Sequence, residues 1–253
     1  MPATPIRVIT FDWGDTLATN WSMPYQEAQR RAFARLAADL AALGGTIAAD
    51  FAQRCMAEQT RDWKSSVDPA QNPENRELDL TRLMAGWIAS AGVDPVAAAP
   101  AVARCWATQV DTVLLFAEVA PALADLKQRG YRLGILSHVP WPGDACRAWF
   151  VRHGIAQHLD FYSFSSDVGW IKPHPAHYQD VVRQAGCAAN EILHVGDHPE
   201  RDIAGGQRFG FRTCLRHTEG IYAVERLAAC TPDASILHLD EVAAVAERLS
   251  HGG

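Results

Sequence analysis

"IRVITFDWGDTL", residues 6–17, passes from a short apolar run rich in β-branched residues into two aspartates three apart, Asp12 and Asp15, with Trp13 and Gly14 between them. A short apolar run that ends abruptly in polar residues reads as a buried parallel strand opening into a loop. IRVITFD is therefore expected to be a strand, with Asp12 at its carboxyl end. Four later stretches take the same form: YRLGILSH (131–138), EILHVGD (191–197), FRTCLR (211–216) and ASILHL (234–239). Helical segments are expected at Pro121–Arg129, Asp144–His153, Pro175–Ala185, Arg201–Phe209 and Glu241–Leu249. Gly130, Gly154, Gly186 and Gly210 follow the first four of these, where helices commonly end on a left-handed glycine. This alternation predicts an α/β fold, a doubly wound (Rossmann-like) parallel sheet. Ligands of such sheets bind beyond the carboxyl ends of the strands, so FDWGD, ILSHV and HVGDH should converge.

Residues 20–115 are of another kind, alanine-rich and without strand-like runs. Ala28, Ala32, Phe33, Leu36, Leu40 and Leu43 trace one helical face, and Leu80, Leu83, Met84, Trp87, Ile88 and Ala91 a second. Asp94-Pro95 reads as a helix cap with proline in the first turn. RDWKSSVDPAQNPENRE (61–77) breaks the pattern and reads as a polar loop. The expected organisation is an α/β core of residues 1–19 and 116–253, interrupted by an α-helical cap domain at 20–115.

Composition narrows the function. A chain of 253 residues with 48% hydrophobic and 21% charged residues has the make-up of a globular protein. MPATPIRVIT lacks the features of a signal peptide, and the six cysteines are scattered without a C-x-x-C pair, so a reducing, cytoplasmic setting is expected. A net charge of −6 gives no electrostatic reason to bind nucleic acid or an anionic membrane. Only three lysines are present, Lys64, Lys127 and Lys172, which limits any mechanism that needs one.

Four separated pieces carry chemistry: Asp12 with Thr16 in FDWGDT, Ser137 in ILSHV, Lys172 in GWIKPHP, and Asp197 with Asp202 in GDHPERD. In this order, on an α/β sheet with a helical insert after its first strand, they resemble the haloacid dehalogenase superfamily, whose members are mostly Mg²⁺-dependent phosphohydrolases. The resemblance implies a small phosphorylated substrate, Asp12 as nucleophile, and Ser137 and Lys172 as catalytic partners. It also implies Mg²⁺ held by Asp12, the carbonyl of Gly14 and Asp197. The chemistry agrees with that assignment. A carboxylate can attack phosphorus, a hard cation takes oxygen ligands, and donors must meet the charge on the non-bridging oxygens. Asp202 is open between a metal ligand and an anchor for Lys172, and Thr16 is expected to hold the loop. Trp13 is expected to lie buried beneath the site by strand alternation. GGQRFG (205–210) has the wrong spacing for a dinucleotide fingerprint and reads as packing glycines.

The family pattern departs at Gly14, where most of its phosphatases place a second aspartate as general acid. Asp15 falls one residue later, yet Asp12 and Thr16 keep their usual separation. The glycine leaves the metal carbonyl in place but removes a group worth about 10²–10⁴-fold in rate. Candidate replacements are Asp15, His138, His174 and His198; alternatively a substrate such as an acyl phosphate needs little protonation. Arg61, Trp63 and Lys64 are candidate specificity residues of the cap. Three other readings stand beside the phosphatase: a phosphonatase-like C–P hydrolase, a haloacid dehalogenase, and a weak or inactive member with a binding or scaffold role. The oligomeric state is not legible.

Overall fold

The structure is a computed structural model that describes residues 4–19, 22–218, 222, 226–227 and 230–251. The chain divides into two compact units. One comprises Met1–Thr19, Leu115–Val139 and Phe150–Gly253; the other comprises Asn20–Leu114 and Pro140–Trp149.

The first unit is built on six strands: β1 (Val8–Phe11), β2 (Arg132–Ser137), β3 (Phe161–Phe164), β4 (Ile192–Gly196), β5 (Arg212–Arg216) and β6 (Ala234–Ile236). They lie in the order β3-β2-β1-β4-β5-β6, and every pairing is parallel. That order reverses direction at β1, which creates a crevice at the carboxyl ends of β1 and β4. Phe11 pairs with Ile135 on one side and Val195 on the other. Asp12, Ser137 and Asp197 therefore all fall within two residues of one line across the sheet.

Burial on both faces explains the continuous apolar strands. One face packs Val8, Leu136 and Ile192 under Tyr178 and Val181 of the helix Pro175–Ala185. Trp13 is 1% exposed and packs on Phe150 and Phe164, with ring centroids 5.0 and 6.4 Å away, as strand alternation predicts. Side chains of this size each contribute about 1.5–3 kcal/mol when fully buried. Gly130, Gly154, Gly186 and Gly210 all adopt positive φ (89°, 67°, 64° and 104°), which confirms the helix stops. The sequence reading finds five strands and misses β3. Its four residues, FYSF, lie at the sheet edge and run straight into Ser165-Ser166, a loop-like composition. The helix expected at Arg201–Phe209 instead begins at Pro199 with a wide π-helical turn, Pro199–Ala204, before Gly205–Phe209.

The second unit is built on the helices α1 (Tyr25–Ala42), α2 (Phe51–Val67), α3 (Leu80–Ser90) and α4 (Pro95–Val110), joined by most of the helix Gly143–Arg152. Ala28, Ala32, Phe33, Leu36 and Leu40 form the buried face of α1, while Leu43 lies past its end and is exposed. Phe33 meets Trp87 of α3 edge to face at 5.1 Å. The Asp94 carboxylate caps α4 by accepting from the N–H groups of Val96 and Ala97, and Pro95 occupies the first turn. One expectation is corrected. Residues 61–67 are not loop but the last two turns of α2, so Arg61, Trp63 and Lys64 are helical. A polar stretch without glycine or proline satisfies a helix, and the break comes only at Asp68-Pro69.

A buried polar cluster ties this unit together. Gln59 Nε2 donates to Tyr25 Oη and to Gln109 Oε1, both at 2.8 Å, and Trp141 Nε1 donates to the same Gln109 oxygen at 3.4 Å. Trp149 Nε1 donates to the Val113 carbonyl at 3.0 Å. These bonds explain why Pro140–Trp149, read from the sequence as core, clusters with the helices. Among the described residues no helix is long and apolar enough to cross a membrane. All six cysteines are free thiols.

Candidate active site

The site is assembled on the carboxyl edge of the sheet. Asp12 follows β1 directly, and its backbone N–H donates to Val195 O of β4 at 2.9 Å. Trp13 O then accepts from the N–H groups of Leu17 and Ala18, and Asp15 N–H donates to Ala18 O at 2.7 Å, closing a tight turn. Asp15 takes φ 55°, the left-handed region usually left to glycine, while Gly14 beside it does not. Thr218 Oγ1 donates to Asp15 O at 2.6 Å, and an Arg216 guanidinium N–H donates to Thr16 O, so the turn is held from β5 and its following loop. Arg216 also pairs with Glu118 and stacks over Phe116 at 4.7 Å.

Lys172 is the centre of the charge arrangement. Its Nζ lies 2.9 Å from Asp12 Oδ1, 2.9 Å from Leu136 O and 2.5 Å from Asp202 Oδ1. The Lys172 side chain is 2% exposed and that of Asp202 1%, whereas Asp12 retains 13%. Asp12 is thus the member of this trio open to a reactant. Burial pulls the Lys172 pKa down, but the Asp12 and Asp202 carboxylates outweigh it and raise the ammonium above its ordinary value.

Asp202 is held from three sides. Burial alone would raise its pKa; Lys172 and the His194 ring override that and hold the carboxyl well below the usual range. His198 N–H donates to Oδ2 at 2.9 Å, and His194 Nε2 stands 3.1 Å from Oδ1. Gly196 makes the room, since a Cβ there would overlap the Asp202 side chain. Asp197 faces the opposite balance. Burial, and then the charges of Asp202, Asp12 and Asp15, push its carboxyl well above the ordinary range, with a hydrogen bond from Tyr222 opposing. Thr16 Oγ1 donates to Asp197 Oδ1 at 3.1 Å, linking the loop after β1 to the end of β4.

The structure brings together Asp12, Lys172, Asp197 and Asp202, with Thr16 beside them. Ser137 ends β2 next to Leu136, whose carbonyl receives Lys172, and it is 2% exposed. The histidines separate. His174 Nδ1 accepts from Ala176 N–H at 3.1 Å as a helix cap, and its ring stacks on Trp170 at 3.9 Å. His198 Nδ1 accepts from Arg201 N–H at 3.3 Å, and burial lowers its pKa to about 4. His138 Nδ1 receives Arg201 Nη1 at 3.2 Å. Arg61, Trp63 and Lys64 belong to the helical unit, where Arg61 pairs with Asp62 at 2.7 Å. Sequence reasoning misses His194, Tyr222 and Arg216. The available signal for His194 was a polar residue inside the buried apolar strand ILHVG.

The donor set fits a hard divalent cation. Ligand oxygens of Asp12, Asp197 and Asp202 lie within 4.8 Å of one another. One lysine is shared by two of these acids, a single positive charge against two negative ones, and burial with the neighbouring carboxylates pushes the third, Asp197, toward protonation.

Comparison with known proteins identifies the family. The sequence model of haloacid dehalogenase-like hydrolases matches residues 6–210, and the chain belongs to that family of hydrolases. A glyceraldehyde 3-phosphate phosphatase of Methanopyrus kandleri is 26% identical over 219 residues, 86% of each chain. A phosphoglycolate phosphatase of Pectobacterium atrosepticum is 31% identical over 167 residues, 64% of this chain and 68% of that one. Among solved structures, a 2-haloacid dehalogenase from Pseudomonas syringae pv. Tomato superposes with a TM-score of 0.65. It is 26% identical, covering 96% of this chain and 99% of the other.

Proposed function

We infer that this hydrolase is a Mg²⁺-dependent phosphatase of small phosphorylated metabolites, with Asp12 as nucleophile. The observation that carries this reading is Lys172, buried between Asp12 and Asp202, with a further acid, Asp197, pushed toward protonation. Phosphoryl transfer needs that combination of an oriented carboxylate and fixed positive charge. Asp12, Asp197 and the Gly14 carbonyl would hold Mg²⁺, which would supply positive charge for the non-bridging oxygens. Lys172 orients Asp12 through Oδ1 and leaves its other oxygen for attack on phosphorus. Ser137 donates to a phosphoryl oxygen. The P–O bond to the leaving group breaks as the Asp12–phosphorus bond forms, and water then hydrolyses the aspartyl phosphate. Helices α1–α4 act as the cap that selects substrate, with Arg61, Trp63 and Lys64 as its candidate contacts.

The proton that Gly14 cannot supply falls to Asp15. His198 is deprotonated at neutral pH, and the Nδ1 lone pairs of His174, His198 and His138 are all engaged, the first two as caps and the third by Arg201. The test is phosphate release from glyceraldehyde 3-phosphate, phosphoglycolate and p-nitrophenyl phosphate, with and without Mg²⁺. Release should need Mg²⁺ and vanish in Asp12→Asn. Turnover unaffected by chelator or by Asp12→Asn rules the mechanism out, and no release from any phosphate favours the scaffold reading. The dehalogenase fold match supports a second reading, displacement of halide by Asp12. Halide release from 2-haloacids in the presence of chelator would establish it.

A further inference from the structure

Thr10 has no role so far and His194 only its contact with Asp202, yet both are fully buried. They face each other across the sheet, being register partners on β4 and β1. Thr10 Oγ1 is 3.0 Å from His194 Nδ1, and His194 Nε2 is 3.1 Å from Asp202 Oδ1. A carboxylate oxygen can only accept, so the ring proton must sit on Nε2. In a neutral ring Nδ1 is then a bare acceptor, to which the Thr10 hydroxyl donates. One oxygen, Asp202 Oδ1, thus receives both His194 and Lys172. Asp202 Oδ2 is taken by the His198 N–H. Both oxygens of Asp202 therefore have partners, which favours an anchor over a metal ligand.

We propose that His194 is a positioning residue: fixed by Thr10 with its proton on Nε2, it sets Asp202, and Asp202 in turn presents Lys172 Nζ to Asp12. The chain Thr10–His194–Asp202–Lys172–Asp12 runs from the sheet interior to the nucleophile without a gap. It rests on the phosphatase reading for its kinetic consequence but not for its geometry. Misplacing a catalytic group by about 1 Å can cost on the order of 10²-fold in rate. Leu at position 194 removes the donor; Gln keeps a donor near the place of Nε2.

The test pairs kinetics with a readout independent of turnover. Long-range ¹H–¹⁵N NMR of the histidine rings in the wild-type protein should show residue 194 protonated on Nε2, and Thr10→Val should shift the Nδ1 resonance through loss of its hydrogen bond while the proton stays on Nε2. With p-nitrophenyl phosphate and Mg²⁺, His194→Leu should lower kcat by about tenfold or more with KM changed less than about threefold, and His194→Gln should restore most of the loss. An Nδ1-protonated ring in the wild type, unchanged kcat in His194→Leu, or a loss that His194→Gln does not rescue would each overturn the proposal. If His194→Leu fails to fold, the wild-type ring and Thr10→Val still decide it. If no phosphate is turned over, the phosphatase reading fails while the ring spectrum judges the anchor alone.

Discussion

Lys172 shows how a single side chain can hold stability and reactivity together. Its ammonium is enclosed with Asp12 and Asp202, so removing it strands two carboxylates. Lys172→Met should cost about 3–5 kcal/mol in denaturant unfolding, along with turnover, because an uncompensated buried charge is the expensive outcome. Asp15 offers the opposite test. It occupies a left-handed position beside a glycine that does not need one, so the two residues stand in exchanged places. The double substitution Gly14→Asp, Asp15→Gly gives the turn its preferred residue and places an acid two positions after the nucleophile. It should speed hydrolysis of phosphates with poor leaving groups by about 10²-fold or more, measured against p-nitrophenyl phosphate as the good one. At this scale Asp12, Lys172 and Asp197 were legible because each closes an apolar run or stands in a polar motif. The His194–Asp202 contact was not, since its meaning depends on a partner across the strand, Thr10, that no local pattern announces.

Among the elements, the sheet is legible in its apolar runs and its glycine stops, and two of the departures have plain causes. β3 is an edge strand of four residues that a serine-rich tail disguises, and the end of α2 is a helix with polar sides. The cap of α4 was legible in full, because Asp94-Pro95 specifies it by chemistry alone. Asp94→Ala should lower unfolding stability by about 1 kcal/mol, read as a shifted denaturant midpoint. The turn after β4 is more demanding. Gly196→Ala forces a methyl into Asp202 and should cost about 1–3 kcal/mol while disturbing the site, seen as a fall in both midpoint and kcat.

For the whole molecule, acid stability reports a residue that takes no part in the proposed chemistry. His177 is fully buried; burial, and secondarily the charge of Lys172, lower its pKa from 6.5 to about 3. The unfolded chain then binds a proton that the folded one refuses, so this contribution is complete above the unfolded pKa and drains away as pH falls toward 3. Urea midpoints measured from pH 7 to pH 4 should fall, and His177→Phe should flatten that slope. The two-unit organisation was only partly visible in sequence, because the segment Pro140–Trp149 joins the helices through side chains, Trp141 and Trp149, rather than through adjacency. That has a consequence for modularity. Residues 20–114 look transplantable as one cassette, but excising them leaves behind the indole that donates to Gln109. A chimera that exchanges the helical unit for a foreign one must therefore carry two inserts, and its second splice falls three residues after Ser137.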